Sequence, residues 1–178
     1  MTSLQSNDFE LFGLSPQFAQ ERTQIDARWK DLQRQAHPDR FAAQGAAAQR
    51  IAMQWSVRIN EAHQRLKDPL RRAAYLCELN GAAVNAENNT AMPSEFLMQQ
   101  MAWREALEDA AGSAELDALA DEVAEMRRAL LQQCAQLLDE QHDYAAAVTQ
   151  VRSLMFIERF ARDIDARYEQ LEQAERRQ

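Results

Sequence analysis

The stretch "QAHPDRFAAQG", residues 35–45, decides the fold. The residue ahead of a proline is steered out of the α region, so a helix running into Pro38 must end near His37. Both flanks are helical in pattern. Residues from about 22 to 36 repeat apolar groups at Ile25, Trp29, Leu32 and Ala36, and residues from about 46 to 66 do so at Ile51, Trp55, Ile59, Ala62 and Leu66. Two amphipathic helices with so short a connection form an antiparallel hairpin, with His37-Pro38-Asp39 at its tip.

The other breakers extend this pattern outward. "DFELF", residues 8–12, is a short helix stopped by Gly13. "DPLRRAAYLCELNG" offers Asp68 as an N-cap, Pro69 at the first helical position and Gly81 as the stop. The polar, Asn-rich run "AAVNAENNTAM" then reads as a linker, placed over 81–92. Three longer patterns follow. The first runs from Ser94 to about Ala111. The second runs from about Ala114 to about Asp139, with Leu116, Leu119, Val123, Met126, Leu130, Cys134 and Leu137 on one stripe. The third runs from about Tyr144 to about Glu172, with Val148, Val151, Met155, Ala161, Ile164, Tyr168 and Leu171. The expectation is an all-α chain: a helical hairpin with flanking short helices over 1–80, a linker, and a three-helix bundle over 93–178.

Composition agrees. Of 178 residues, 46% are apolar and 27% charged, while Gly and Pro number four each. A core can therefore be buried, and good helix formers dominate. No stretch has the length and apolarity of a membrane span, and "MTSLQSNDFELFG" lacks the basic start and apolar run of a secretory signal. Cys77 and Cys134 form no C-x-x-C pattern, so free thiols in a reducing cytoplasm are expected. The net charge of −8 is uneven: residues 1–80 carry 11 Lys/Arg against 9 Asp/Glu, and residues 81–178 carry 9 against 19. The second half would repel phosphates, which argues against nucleic acid, and the asymmetry suggests different partners for the two halves.

His37 and Asp39 could belong to an active site, a metal site or a recognition loop. Catalysis requires a partner group in reach and a cleft that excludes water, which a hairpin tip does not offer. His37, His63 and His142 are scattered, with no Cys or acidic neighbour completing a ligand set, so neither metal nor cofactor is expected. A metal-dependent helical enzyme stays open as an alternative. As a recognition loop, the tip presents Asp39 as a carboxylate suited to a partner's arginine. Lys30 and Arg34 stand one turn apart on helix two, with Arg28 and Arg40 nearby; Glu21, Asp26 and Asp31 are interleaved with them, as on an ordinary solvated face.

The second half has a surplus of apolar surface. In "SEFLMQQMAWREALED", Phe96, Trp103, Leu107 and Ala110 make one stripe. Leu97 and Met101 make a second, continued by Glu105 and Glu108 and adjoined by Ala102 and Asp109. One stripe can enter the bundle and the other must face elsewhere. Phe156 and Phe160 likewise stand off the Val148–Val151–Met155 stripe. An exposed apolar strip edged with carboxylates is a protein-binding surface; a broad core face is the competing reading.

"HPDRF" between two amphipathic helices, after "DFELFGL" and "RWKDLQRQA", resembles a J-domain over residues 8 to about 80. The resemblance implies that His37, Pro38 and Asp39 contact the ATPase domain of a DnaK-class chaperone and stimulate its hydrolysis, assisted by Arg28, Lys30, Arg34 and Arg40. With "EFLMQQMAWREALE" and "VRSLMFIERFARDID", the likeness spans nearly the whole chain and narrows to the HscB family of bacterial type, J-domain co-chaperones of iron–sulfur cluster assembly. It implies an L-shaped, non-catalytic adaptor that docks on an HscA-type chaperone and delivers an IscU-type scaffold. Leu97, Met98, Met101, Glu105, Asp109 and Phe156 would form the scaffold surface, with Ala102 where an acidic residue is expected. A general J-domain co-chaperone with a different client is the alternative.

Overall fold

The computed structural model describes residues 3–85 and 92–176, apart from the side chain of Glu175. The described residues are helical, without strands, and divide into two compact units, Met1–Asn80 and Gly81–Gln178.

In the first unit, α1 (Asp8–Phe12) begins with a reciprocal cap: the Asn7 side chain accepts from the Glu10 N–H at 2.9 Å, and the Glu10 carboxylate accepts from the Asn7 N–H at 3.2 Å. It ends at Gly13, whose φ of 62° is the left-handed conformation in which glycine carries no Cβ penalty. The hairpin is α2 (Arg22–Ala36) and α3 (Ala46–Lys67), and α4 (Pro69–Leu79) follows. Asp68 caps α4 by accepting from the Arg71 N–H at 2.9 Å.

Phe9, Phe12, Ile25, Ile59 and Leu66 fill the centre of this unit. Burying each such side chain contributes roughly 1.5–3 kcal/mol. A polar seam also joins α2 to α3. Trp29 Nε1 and Gln33 Nε2 both donate to Asn60 Oδ1, at 2.8 and 2.6 Å, and Ser56 Oγ donates to Gln33 Oε1 at 2.6 Å. Trp29 stacks on His63 with ring centres 4.7 Å apart, and His63 Nε2 lies 2.7 Å from Asp26 Oδ1.

Two expectations for the hairpin change. A seven-residue 3₁₀ turn, Pro38–Gln44, connects α2 to α3. Ile51, read as part of the buried stripe of α3, is 55% exposed, and Ala52 is buried in its place. At this end both α2 and the 3₁₀ turn border the start of α3. A groove of about 470 Å³ remains, lined by Leu32, Ala36, Phe41, Ile51, Trp55 and other side chains.

The second unit is the bundle: α5 (Ser94–Asp109), α6 (Ser113–Ala135) and α7 (Tyr144–Glu175). After Ala135 the chain makes one π-helical turn, Gln136–Glu140, closed by the Gln141 N–H donating to the Gln136 carbonyl at 2.9 Å. The wider turn carries the apolar stripe from Cys134 to Leu138, which is buried. Leu137, expected on the stripe, is only half-buried. Of the expected linker, residues 82–85 are irregular; Val84 is buried and its carbonyl accepts from Arg152 Nε on α7 at 2.8 Å. Residues 86–91 lie outside the described residues.

Candidate functional site

The tripeptide is presented as a small capped turn. His37 leaves α2 in extended conformation (φ −63°, ψ 126°), as a residue ahead of proline must. Its Nδ1 accepts from the Asp39 N–H at 3.3 Å, and its carbonyl accepts from the Arg40 N–H at 3.1 Å. Arg40 Nη1 donates to the Arg34 carbonyl at 3.1 Å, covering an end of α2 that the proline leaves open. Asp39 is 90% exposed, and its carboxylate lies 3.5 Å from His37 Nδ1. The tip therefore offers an unshielded carboxylate on a turn locked by backbone donors.

The cations beside it do not all share one face. Lys30 and Arg34 are exposed and one turn apart, and Arg34 pairs with Asp31 at 3.4 Å. Arg28 is two residues from Lys30, about 200° around a helix of 3.6 residues per turn. Its guanidinium reaches to the far end of α1, 3.3 Å from the position a Cβ on Gly13 would take. The expected basic face of helix two thus consists of Lys30 and Arg34, extended by Arg40 and without Arg28.

The seam below the tip is sensitive to acid. The hydrogen bond from His63 is the largest influence holding the Asp26 carboxyl below its ordinary value of 3.8; burial opposes it, and Arg22, 3.0 Å away, adds to the lowering. A carboxylate lowered on folding contributes stability above its unfolded value and loses it as pH falls through the folded one. Asp26→Asn is expected to be less stable than the parent chain at pH 7, with the gap closing below pH ~3.8; urea unfolding of both at pH 7 and pH 3 measures it, and a gap unchanged at pH 3 contradicts the assignment.

Sequence reasoning missed what ties α1 down. Asp8 is fully buried, with its carboxylate oxygens 2.7 Å from Arg58 Nη2 and 2.8 Å from Arg65 Nε. Both contacts are close ion pairs whose N–H directions are off the hydrogen-bond axis. The Asp8 N–H donates to Tyr75 Oη at 3.0 Å, and Arg65 lies over the Tyr75 ring at 4.7 Å. The available signal was a pair of arginines seven residues apart on α3, hence on one face.

On the bundle, α5 separates its two stripes as expected. Phe96, Trp103 and Ala110 are buried, and Leu107 is half-buried. Trp103 Nε1 and Gln99 Nε2 both donate to Glu122 Oε1 on α6, at 2.9 and 3.0 Å. Leu97, Met98 and Met101 are exposed (43%, 71% and 72%), and Ala102, Glu105, Glu108 and Asp109 are exposed beside them.

Phe156 and Phe160 form no exposed strip. Phe156 is 9% exposed and Phe160 2%. Phe96 meets Phe156 edge-on with ring centres 5.8 Å apart, Trp103 stacks on Phe160 at 5.8 Å, and the two phenylalanines stack on each other at 5.8 Å. The reason is that α7 packs against both α5 and α6, so it buries a wide arc; Leu154 and Ile157 belong to that arc and were absent from the expected stripe. Phe156 supports the exposed stripe of α5 from beneath through Phe96.

Both cysteines are buried, and burial first, with Glu78 second, pushes the Cys77 thiol up to about 11. Among the described residues no cluster of three His, Cys, Asp or Glu side chains could hold a metal ion, and no helix is long and apolar enough to cross a membrane.

A co-chaperone protein HscB homolog of Burkholderia thailandensis is 54% identical over 97% of this chain and 99% of its own length. One from Burkholderia multivorans is 53% identical over the same shares. The chain belongs to the HscB family. These are the J-domain co-chaperones of iron–sulfur cluster assembly. Residues 92–165 match the family model described as the HSCB C-terminal oligomerisation domain. Among solved structures, the chaperone HscB from Vibrio cholerae is 37% identical, covers 93% of this chain and 99% of its own, and superposes with a TM-score of 0.79. Human co-chaperone HscB, at 22% identity over 93% of this chain and 83% of its own, shares the fold with a TM-score of 0.88. The architecture of an HscB protein, a J-domain followed by a helical bundle, is thus the architecture of this chain.

Proposed function

We propose that this HscB-family chain is an adaptor without catalytic activity of its own, working in the cytoplasm between an HscA-type chaperone ATPase and an IscU-type scaffold protein. His37, Pro38 and Asp39 engage the chaperone and stimulate its hydrolysis, with Lys30, Arg34 and Arg40 adding favourable charge and Arg28 steadying the base of α2. Leu97, Met98 and Met101 take apolar surface of the scaffold, with Glu105 and Asp109 at the rim and Phe156 behind them. The adaptor holds no cofactor or metal, and neither nucleic acid nor membrane enters its cycle. Its effect is placement: holding both partners raises the client's effective concentration at the chaperone.

The observation that carries this reading is the Asp39 carboxylate, 90% exposed on a turn whose own backbone needs are met. Such a group is free to take a bidentate arginine of a partner. The test is the ATPase rate of an HscA-type chaperone against rising concentrations of this chain, with and without an IscU-type scaffold. Stimulation by the chain alone, with a lower half-maximal concentration when the scaffold is present, is expected. Absence of stimulation refutes the tip's role. Stimulation that ignores the scaffold assigns the bundle to a different client.

A further inference from the structure

Beside the exposed stripe of α5 lies a second feature, of opposite charge. Arg104 of α5 and Arg159 and Arg162 of α7 line a groove of about 420 Å³, floored by Phe156 and Phe160 and carrying one carboxylate, Asp163. This half of the chain is strongly acidic, with 19 Asp/Glu against 9 Lys/Arg, so three arginines gathered in one groove run against its field. They are also exposed.

Carboxylates stand at helix-neighbour spacing from each: Glu108 from Arg104, Asp163 from Arg159 and Glu158 from Arg162. Yet no carboxylate among the described residues comes within 4.0 Å of any of the three; Glu158 pairs instead with Arg127 at 3.4 Å. Arg162 Nε donates to the Glu158 carbonyl at 3.2 Å, which leaves its two Nη groups for other acceptors. Arg104 lies over the Phe156 ring, 5.9 Å from its centre. A guanidinium resting on an aromatic face keeps its N–H edge available for a planar, two-oxygen acceptor.

We propose that this groove is a carboxylate-reading subsite, which takes an acidic segment of the protein client held by the neighbouring apolar stripe. The inference rests on the reading of that stripe as the client surface. The groove is continuous with the stripe: Phe156 touches Phe96 on one side and Arg104 on the other, and Arg104 is one turn from Met101 on α5. The stripe carries Glu105 and Asp109 on the edge away from Arg104, and the groove carries the arginines, so the combined surface has an acidic and a basic side. A client carrying the complementary order of charges binds in one orientation, and the reversed order meets like charges on both sides.

The test is an NMR titration of the full, isotope-labelled chain, following arginine Nε–H signals together with the Leu and Met methyls. The probes are a short peptide with paired glutamates, its glutamine counterpart, inorganic phosphate, and an IscU-type scaffold. The glutamate peptide is expected to shift the signals of Arg104, Arg159 and Arg162 at least fivefold more than the glutamine peptide, and the double variant Arg159→Gln/Arg162→Gln to abolish that response. The scaffold is expected to shift the same arginines and the methyls of Leu97 and Met101. Equal shifts with both peptides, or with phosphate alone, overturn the subsite. So does a scaffold that moves the methyls and leaves the arginines still, although the stripe then stands as the client surface. A scaffold that moves neither removes the stripe reading and the subsite's client with it.

Discussion

Asp39→Asn is expected to reduce stimulation of the chaperone ATPase to the basal rate while leaving helix content and thermal midpoint unchanged. The carboxylate faces solvent, and among the described residues its charged neighbour is His37 of its own turn. The turn itself is held by the Asp39 N–H on His37 Nδ1 and the Arg40 N–H on the His37 carbonyl, neither of which an amide side chain disturbs. What the substitution removes is charge, at the point where, on the proposed reading, a partner's cation is desolvated against it. Leaving one member of such an interfacial pair uncompensated costs roughly 2–5 kcal/mol, at least a ~30-fold loss of affinity. Asp31→Asn is the control: it removes a half-exposed carboxylate paired with Arg34, and its effect should stay within about 0.5 kcal/mol. Steady-state ATPase rates across a concentration series read both. Undiminished stimulation by Asp39→Asn removes the tip from the mechanism.

The second large effect separates the two sides of α5. Phe156→Ala is expected to destabilise the bundle by about 3–5 kcal/mol, the usual cost of emptying a buried aromatic site. It removes the ring stacked on Phe160 and met edge-on by Phe96, and it takes the aromatic face from under Arg104. Leu97→Ala with Met101→Ala removes side chains that already face water, so stability should change by less than about 1 kcal/mol. The same double variant should weaken scaffold binding at least tenfold, because exposed apolar anchors contribute mainly when a partner covers them. Denaturant unfolding and a binding titration on both variants measure the contrast. A double variant that unfolds like Phe156→Ala would make the exposed stripe part of the core, and one that binds normally would move the client elsewhere.

In α5, Phe96, Trp103 and Ala110 repeat on one side and Leu97 and Met101 on another, and a helix has one angle per residue, so two apolar faces are legible in the sequence. Most helix ends were legible for the same local reason. Gly13, Asp68, Pro69 and the pair His37-Pro38 act on their own backbone, and α1 stops, α2 stops and α4 starts where those residues stand.

The differences from expectation come from packing at a distance and from irregular turns. Phe156 and Phe160 have the sequence spacing of an outward strip, and only the position of α5 over α7 makes them core. Arg28 was grouped with Lys30 and Arg34 by nearness in sequence, while its guanidinium reaches toward the end of α1. Leu138 replaces Leu137 inside because one π turn shifts the register, and no residue type announces that turn.

The sequence by itself determined the helices and the break at Pro38, because caps, breakers and periodicity are properties of neighbouring residues. Tertiary structure alone decided which apolar face of each helix meets a partner helix, how Asp8 is buried between Arg58 and Arg65, and that Arg104, Arg159 and Arg162 share one groove. Those outcomes depend on where a second helix lies in space, and the spacing of residues along one helix carries no information about it.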